Sequence, residues 1–431
     1  MRIMTNLPIA FGVDNIGIFF AVLTLIVFIA AGIYSFDYMS HSKHKISYQI
    51  FFFAAMVVEV LACFAANMIT YYFCFELLTV CSMPLVIQER TRESVMAALK
   101  YLIFSMFGAY SALFGIFFLS KYAGTLDFVA GGSISAEAFA EHKTLLLWVA
   151  MALIIGFGVK AGMFPMHAWL PTAHPVAPAP ASAVLSAVIV KAGVLGIVRS
   201  IYYIIGVGNI AGTWVQTAWL VLSLITVFMG SMLAYREPVL KKRLAYSTVS
   251  QVSYILFGLA VANRTGFTGS MLHVFGHGCI KAVLFLVAGA IIHYTGATKV
   301  EDMRGIGKKM PITMWCYVIV SLGLIGIPPT GGFISKWYLA IGGLESRISI
   351  FSWLGPVVLL VSALLTAGYL LQLVVIGFFP GADYEISDKD KCEPSLFMTV
   401  PIIILTILSV IIGMLPNSVV DYIGSFAGTL F

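Results

Sequence analysis

The stretch GFGVKAGMFPMHAWLPTAHPVAPAPASAVLSAVIVKAG, residues 156–193, sets Lys160 and Lys191 in apolar sequence broken by prolines. A lysine stripped of water can exchange its proton within the physiological range. Proton carriage is therefore the chemistry this placement offers. Six more ionisable residues lie deep within apolar runs: Glu59, Glu76, His273, His277, Lys281 and Lys336. A charged group at the centre of a membrane helix costs at least about 2.5–3.5 kcal/mol. Eight such residues exceed what helix pairing or the snorkelling of long side chains accounts for.

Their spacing narrows the reading. Glu59 and Glu76 stand eight residues before and nine after Asn67, the polar residue of a tight turn between two apolar runs. In helices both carboxylates then lie about 12–13 Å from that turn, facing one another or a common partner, or else on separate helix faces with partners of their own. His273, His277 and Lys281 recur at i, i+4 and i+8, which makes one stripe about 12 Å long on one helix. Imidazoles and a desolvated amine in a row suit a proton path. Two histidines at i, i+4 also match half a zinc site, but no carboxylate or cysteine completes the motif, so no metal is expected.

Lys160 is followed five residues later by Pro165, and GIPPTGGFISKW places Pro328, Pro329, Gly331 and Gly332 just before Lys336. Interrupted helices that carry a charge are where transporters build ion sites. The two lysines are 176 residues apart, and LSKYAG (119–124) finds a faint echo in AIIHYTG (290–296), a weak sign of an internal repeat.

The elements that must position these groups are membrane helices. Hydrophobic residues make up 60% of the 431, only 10% are charged, and the mean hydropathy is +0.99. About twelve apolar runs are long enough to cross roughly 30 Å of hydrocarbon, centred near residues 26, 57, 78, 109, 154, 192, 224, 252, 282, 325, 365 and 405. They lack the alternation of barrel strands, so the chain reads as an all-α polytopic membrane protein, a single membrane domain over 1–431. The first run has no cleavage site after it and reads as an uncleaved span. Fourteen lysines and arginines, among them Lys43, Lys45, Arg90, Arg92, Lys241, Arg243, Lys308 and Lys389, fall on one face of this arrangement; Arg2, Lys121, Lys143, Arg264 and Arg347 fall on the other. The first face is expected in the cytoplasm, with both termini outside the inner membrane. The net charge of +6 thus reports orientation and not nucleic-acid binding. Six cysteines stand singly, no phosphate-binding glycine loop follows a strand, and no soluble domain interrupts the chain. No cofactor site and no catalytic residue are expected.

Four motifs in order, KAGMFPMHAWLPTAHPVAPAPASAVLSAVIVKAGVLGIVR, KKRLAYSTVSQVSYILFGLA, HVFGHGCIKAVLFLVAG and GIPPTGGFISKW, resemble the antiporter-like, proton-pumping membrane subunits of respiratory complex I. That family includes large subunits of multi-subunit sodium/proton antiporters and of membrane-bound hydrogenases. The resemblance, which runs over about residues 14–415, implies two inverted five-helix repeats with interrupted helices: a leading helix in 14–47, repeat halves 48–205 and 213–378, and a last helix in 396–415. It implies that Glu76 in CFELL pairs with Lys160, that Lys191 connects the halves, that His273, His277 and Lys281 form the central stripe, and that Lys336 is the terminal carrier, a position where some relatives have glutamate. The family's usual fourteen helices would leave two without counterparts at this chain's start, and no long lateral helix follows the last span. Among complex I members the short ends and Lys336 look most like the one nearest the redox arm. The expected function is that of a non-redox subunit moving protons, or exchanging them for sodium ions, within a larger oxidoreductase complex of the complex I or hydrogenase kind; its partners would be other membrane subunits and lipids. The alternatives are a subunit of a multi-subunit cation/proton antiporter and a free-standing secondary transporter of a small solute.

Overall fold

The computed structural model describes residues 9–381, 384 and 391–431; Arg2 and Lys389, counted above among the loop charges, lie outside them. Helices dominate because a chain in lipid must satisfy its backbone internally. Their starts are marked by short polar side chains. Asp14 accepts from the Gly17 N–H at 2.9 Å, Asn67 from Thr70 at 2.8 Å, Thr91 from Ser94 at 3.1 Å and Asn263 from Gly266 at 2.7 Å.

The principal helices are α1 (Asn15–Tyr38), α2 (Lys45–Cys63), α3 (Met68–Val86), α4 (Arg92–Tyr122), α5 (Lys143–Ala161), α6 (Leu170–Val176), α7 (Ala179–Ile205), α8 (Trp214–Arg236), α9 (Leu240–Ala260), α10 (Arg264–Thr295), α11 (Pro311–Ile325), α12 (Gly331–Glu345), α13 (Phe351–Phe378), α14 (Leu396–Met414) and α15 (Pro416–Ala427). Ten of them are long and apolar enough to cross a membrane: α1–α5, α7, α8, α10, α13 and α14. The expected span near residue 252 is α9. The one expected near 325 is two short helices, α11 and α12, on either side of a break at 326–330. The sequence reading did not anticipate α15, a twelve-residue helix beyond the last expected span.

Large apolar side chains such as Phe107, Phe117, Leu360 and Leu364 are exposed on the perimeter, as a lipid-facing surface requires. The central helices are different. Every residue of the most apolar stretch of α7 is buried, and α10 is nearly as enclosed, so both are walled off from lipid by protein. Close helix contacts use small residues. A Cβ added to Gly108 of α4 would lie 2.6 Å from the carbonyl oxygen of Gly156 on α5, the kind of backbone approach that membrane helices achieve at glycine.

The two breaks have a common local cause. Helix α5 ends at Gly162 (φ 77°) and α11 at Gly326 (φ 96°), left-handed conformations that only glycine adopts without strain. Each is followed by a proline-containing segment before the chain turns helical again.

Candidate functional site: a buried line of titratable side chains

Lys160 sits in the last turn of α5, two residues before Gly162. Its Nζ donates to Thr79 Oγ1 at 2.5 Å and lies 4.9 Å from the Phe75 ring centre and 5.5 Å from that of Tyr101. Aromatic faces partly replace the water that the ammonium has lost. The expected contact with Glu76 is not formed: the ion pairs among the described residues are His142–Glu141, Arg199–Asp14 and Lys242–Glu237. Glu76 instead faces Lys160 electrostatically without touching it. Glu59 is more deeply buried and feels both Lys160 and Lys191. One carboxylate oxygen of each acid, Glu59 Oε2 and Glu76 Oε1, has no hydrogen-bond partner. Both carboxyls thus act on a common lysine, Lys160, and Glu59 also feels Lys191.

Helix α7 widens into a π-helical turn at Leu185–Ile189 immediately before Lys191. The turn presents the Ser186 carbonyl to Lys191 Nζ at 2.8 Å, an i to i+5 contact that a regular helix would not offer. The same Nζ stands 2.8 Å from His277 Nδ1 on α10. Along α10 the His277 and His273 rings lie nearly parallel, 5.7 Å apart. His273 Nδ1 is 2.9 Å from Ser335 Oγ on α12, and its ring stacks on Tyr254 of α9 at 5.4 Å. The next residue of α12 is Lys336, whose Nζ lies 5.1 Å from the Tyr254 ring centre and donates to the Leu324 and Ile325 carbonyls at 2.6 and 3.0 Å. Those carbonyls are the open C-terminal end of α11. The negative end of the helix dipole and two free acceptors thus hold the lysine at the break. A row of contacts runs from Lys191 through His277 and His273 to the Tyr254 ring and Lys336, and both Lys160 and Lys191 act electrostatically on Glu59.

Lys281 leaves that row. It belongs to the same stripe on α10, but its Nζ donates to the Leu244 carbonyl of α9 at 2.9 Å. Glu59, Lys160, Lys191, His273, His277 and Lys281 are buried, whereas Glu76 and Lys336 are half-buried. No group of three histidine, cysteine or acidic side chains suited to a metal ion converges among the described residues.

Several participants were not anticipated. Tyr254, Ser335 and Thr79 make the contacts described above, yet as neutral residues in apolar helices they carry no sequence signal. Lys241 and Arg243, counted as loop charges, are buried: Lys241 Nζ donates to the Ala177 carbonyl at 2.8 Å, and Arg243 Nη1 to Tyr369 O at 3.0 Å and Gln372 Oε1 at 2.9 Å. A positive residue at the start of a span looks like a flank in sequence, and only the fold shows what covers it, the first break over Lys241 and α13 over Arg243. Arg199, also buried, is held by both oxygens of Asp14 and lies against Phe128 and Tyr203.

Comparison with known proteins agrees with this geometry. Residues 65–366 match the model of the family described as NADH:quinone oxidoreductase/Mrp antiporter, TM. The chain is 34% identical over 347 residues to NADH-quinone oxidoreductase subunit N of Desulforudis audaxviator (strain MP104C), covering 78% of this chain and 68% of that protein. It is 28% identical over 423 residues to hydrogenase-4 component B of Escherichia coli (strain K12), covering 93% of this chain and 62% of the other. Its fold matches a chain in the structure of the Mrp complex from Dietzia sp. DQ12-45-1b with a TM-score of 0.84 at 19% identity, over 97% of this chain and 84% of that one. A family match over most of the chain, together with the buried line of lysines and histidines, makes this protein a member of the NADH:quinone oxidoreductase/Mrp antiporter transmembrane family.

Proposed function

We propose that this multi-pass membrane protein is the ion-translocating subunit of a larger membrane complex, moving protons, or exchanging them for sodium ions, along the buried row. The contact between Lys191 and His277 carries the reading. It joins α7 to α10 by a 2.8 Å contact between two groups that can each hold or release a proton. Lys160 is the carrier of the first half, with Glu59 and Glu76 biasing its charge, because a nearby anion favours the ammonium. Lys191, His277 and His273 pass the proton on, and Lys336 is the terminal carrier at the second break. Lys281, on the same stripe of α10 and held by the Leu244 carbonyl, is a further proton-holding group beside the row.

The division into a leading helix (14–47), halves 48–205 and 213–378 and a last helix (396–415) fits the two breaks, one in each half, as in transporters built from repeats. The face bearing Lys43, Arg90 and Lys308 is assigned to the cytoplasm, with the termini outside. Relatives named as subunits of an NADH-quinone oxidoreductase and of a hydrogenase, and a fold shared with the Mrp complex, favour a partnered subunit over a free-standing solute transporter. The complex that co-purifies with this chain, reconstituted in liposomes, should acidify or alkalinise the lumen when energised. Lys191→Met should stop this while the complex still assembles. Parental proton movement by the methionine variant would show that ions do not use the row.

A further inference from the structure

Lys336 ends the row and also lines a cavity of about 320 Å³ between α12 and α13. The rest of the lining is apolar. Helix α12 contributes the Phe333 and Trp337 rings, stacked with centres 6.0 Å apart, and α13 contributes Leu360, Ala363 and Leu364 among others. Trp337, Leu360 and Leu364 are exposed, so the mouth lies on the perimeter of the protein. Leu360 and Leu364 fall near the middle of the 28 residues of α13, so that mouth meets the hydrocarbon close to mid-membrane. Among the described residues no other charged or titratable side chain lines the cavity.

The amine beside this cavity has no counter-ion. Its Nζ bonds to the Leu324 and Ile325 carbonyls, which leaves one of the three ammonium N–H groups over, and none of the ion pairs among the described residues includes it. Gly326 lines the cavity too, and a Cβ placed on it would lie 3.7 Å from Nζ, so the amine adjoins the cavity where the break leaves no side chain. A lone cation at an apolar cavity suits an anion with an apolar body. That anion must be able to shed its charge, because a permanently ionised phosphate headgroup reaches mid-membrane only at great cost. A carboxylic acid can get there, since loss of water favours its neutral form. The cavity has room for about ten groups of the size of water, at roughly 30 Å³ each. That accommodates a carboxyl group and a chain of medium length, with further methylenes lying over Leu360 and Leu364.

We propose that this cavity binds a free fatty acid from the surrounding lipid, and that the bound carboxylate stops transport by ion-pairing Lys336. The inhibition rests on the carrier role given to Lys336 above, whereas the binding does not. The acid enters neutral while Lys336 is in its amine form. Its O–H bond breaks, an N–H bond forms on Nζ, and the products are a carboxylate and an ammonium, with no other reactant. The carbonyls that otherwise hold Lys336 are neutral and let its proton move on, but a carboxylate in contact favours the ammonium far more strongly, so the end of the row stalls. An alcohol of the same chain length fills the cavity without forming the charge pair and is held less well.

The experiment uses the intact complex in liposomes, with dodecanoic acid carrying a diazirine on its last carbon as the probe. Illumination should label α12 and α13 at the cavity, and unlabelled dodecanoic acid should compete at least several-fold better than dodecanol. Ala363→Phe and Ala340→Phe each fill the cavity at a residue that is no carrier. Either one, once assembled, should lose the label, move protons at the parental rate without added acid, and resist a dose of dodecanoic acid that slows the parent several-fold, after the leak of protein-free liposomes is subtracted. Lys336→Gln should keep a label but lose the preference for acid over alcohol. If Lys336→Gln transports like the parent, the carrier role falls and the inhibition with it, while the labelling still decides the site. Absence of label at the cavity, equal competition by the alcohol, or a label that survives both phenylalanine variants would overturn the site. Label at the cavity with transport indifferent to the acid would overturn the inhibition alone.

Discussion

Replacement of Lys336 tests the terminal carrier, and the structure sets the size of the effect. Removing the ammonium relieves a buried charge worth at least about 2.5–3.5 kcal/mol. It also removes two charge-assisted hydrogen bonds, to Leu324 O and Ile325 O, each worth about 1.5–3 kcal/mol. Those carbonyls have no helical partner of their own, because α11 ends there. Lys336→Met should therefore cost between about 0 and 3 kcal/mol overall, a modest loss where removal of an expensive charge alone would suggest a gain. Lys336→Gln gives a sharper comparison. Its amide N–H groups can still donate to a carbonyl, so stability should be closer to the parent, but an amide carries no proton at physiological pH. Both variants should abolish proton movement in liposomes, with thermal unfolding of the purified complex ranking parent, glutamine, methionine. Lys336→Glu should fail as well in this chain, although some relatives have glutamate, because a carboxylate would face two carbonyl oxygens at a negative helix end. Parental transport by Lys336→Gln would refute the carrier role, and full transport by Lys336→Glu would refute the argument from the helix end.

Other outcomes follow from the same contacts. Because Lys160 bonds to Thr79 and is faced by two acids without ion-pairing to either, Glu76→Gln should lower transport only in part, and Glu59→Gln with Glu76→Gln should stop it; equal rates for the single and double variants would show that one acid does the work. Asp14→Asn keeps a cap for α1 but leaves the Arg199 guanidinium buried and unpaired. Unfolding should become easier by roughly 1–3 kcal/mol, below the usual 3–5 for a broken buried pair because Asp14 is 40% exposed, and adding Arg199→Met should restore much of it in thermal unfolding. In intact cells Lys308→Cys should be shielded from an impermeant thiol reagent and Thr125→Cys labelled, and the reverse pattern would invert the assigned orientation.

What could be read from sequence followed the strength of the physical signal. A lysine beside prolines and glycines in an apolar run is a loud signal, and Lys160, Lys191 and Lys336 all lie at or near helix irregularities in the structure. The stripe of His273, His277 and Lys281 was legible from spacing alone, but its destination was not. The i, i+4, i+8 pattern puts the three on one helix face, whereas the contacts they make depend on which helix covers each turn. His277 meets α7, His273 meets α12, and Lys281 meets α9. The break at 326–330 was recognised as an interruption but merged with its flanks into one span, since hydropathy averaged over a membrane width cannot resolve five residues. Backbone acceptors such as Leu324 O, Ser186 O and Ala177 O leave no trace in the side-chain sequence, and they are what hold the lysines.

That last point bears on how a charge can be both stable and movable here. Lys191, Lys241 and the half-buried Lys336 rest on main-chain carbonyls at an irregular turn or break: Lys191 on the π-turn of α7, Lys241 on the first break, Lys336 on the second. A carbonyl favours the ammonium but, being neutral, holds it less firmly than a carboxylate would. Lys160, with a hydroxyl, two aromatic faces and two nearby acids, is biased in the same limited way. Fully formed ion pairs occur elsewhere, as in Arg199–Asp14, where a permanently charged guanidinium clamps the start of α1 to the end of α7. Arginine is used where charge must stay, and lysine and histidine on neutral partners where it must move. Ion-pairing the row would trap the proton, and leaving it in plain apolar surroundings would strip the proton off. Acceptors supplied by broken helices set an intermediate condition, which is the physical reason for placing the breaks and the lysines together.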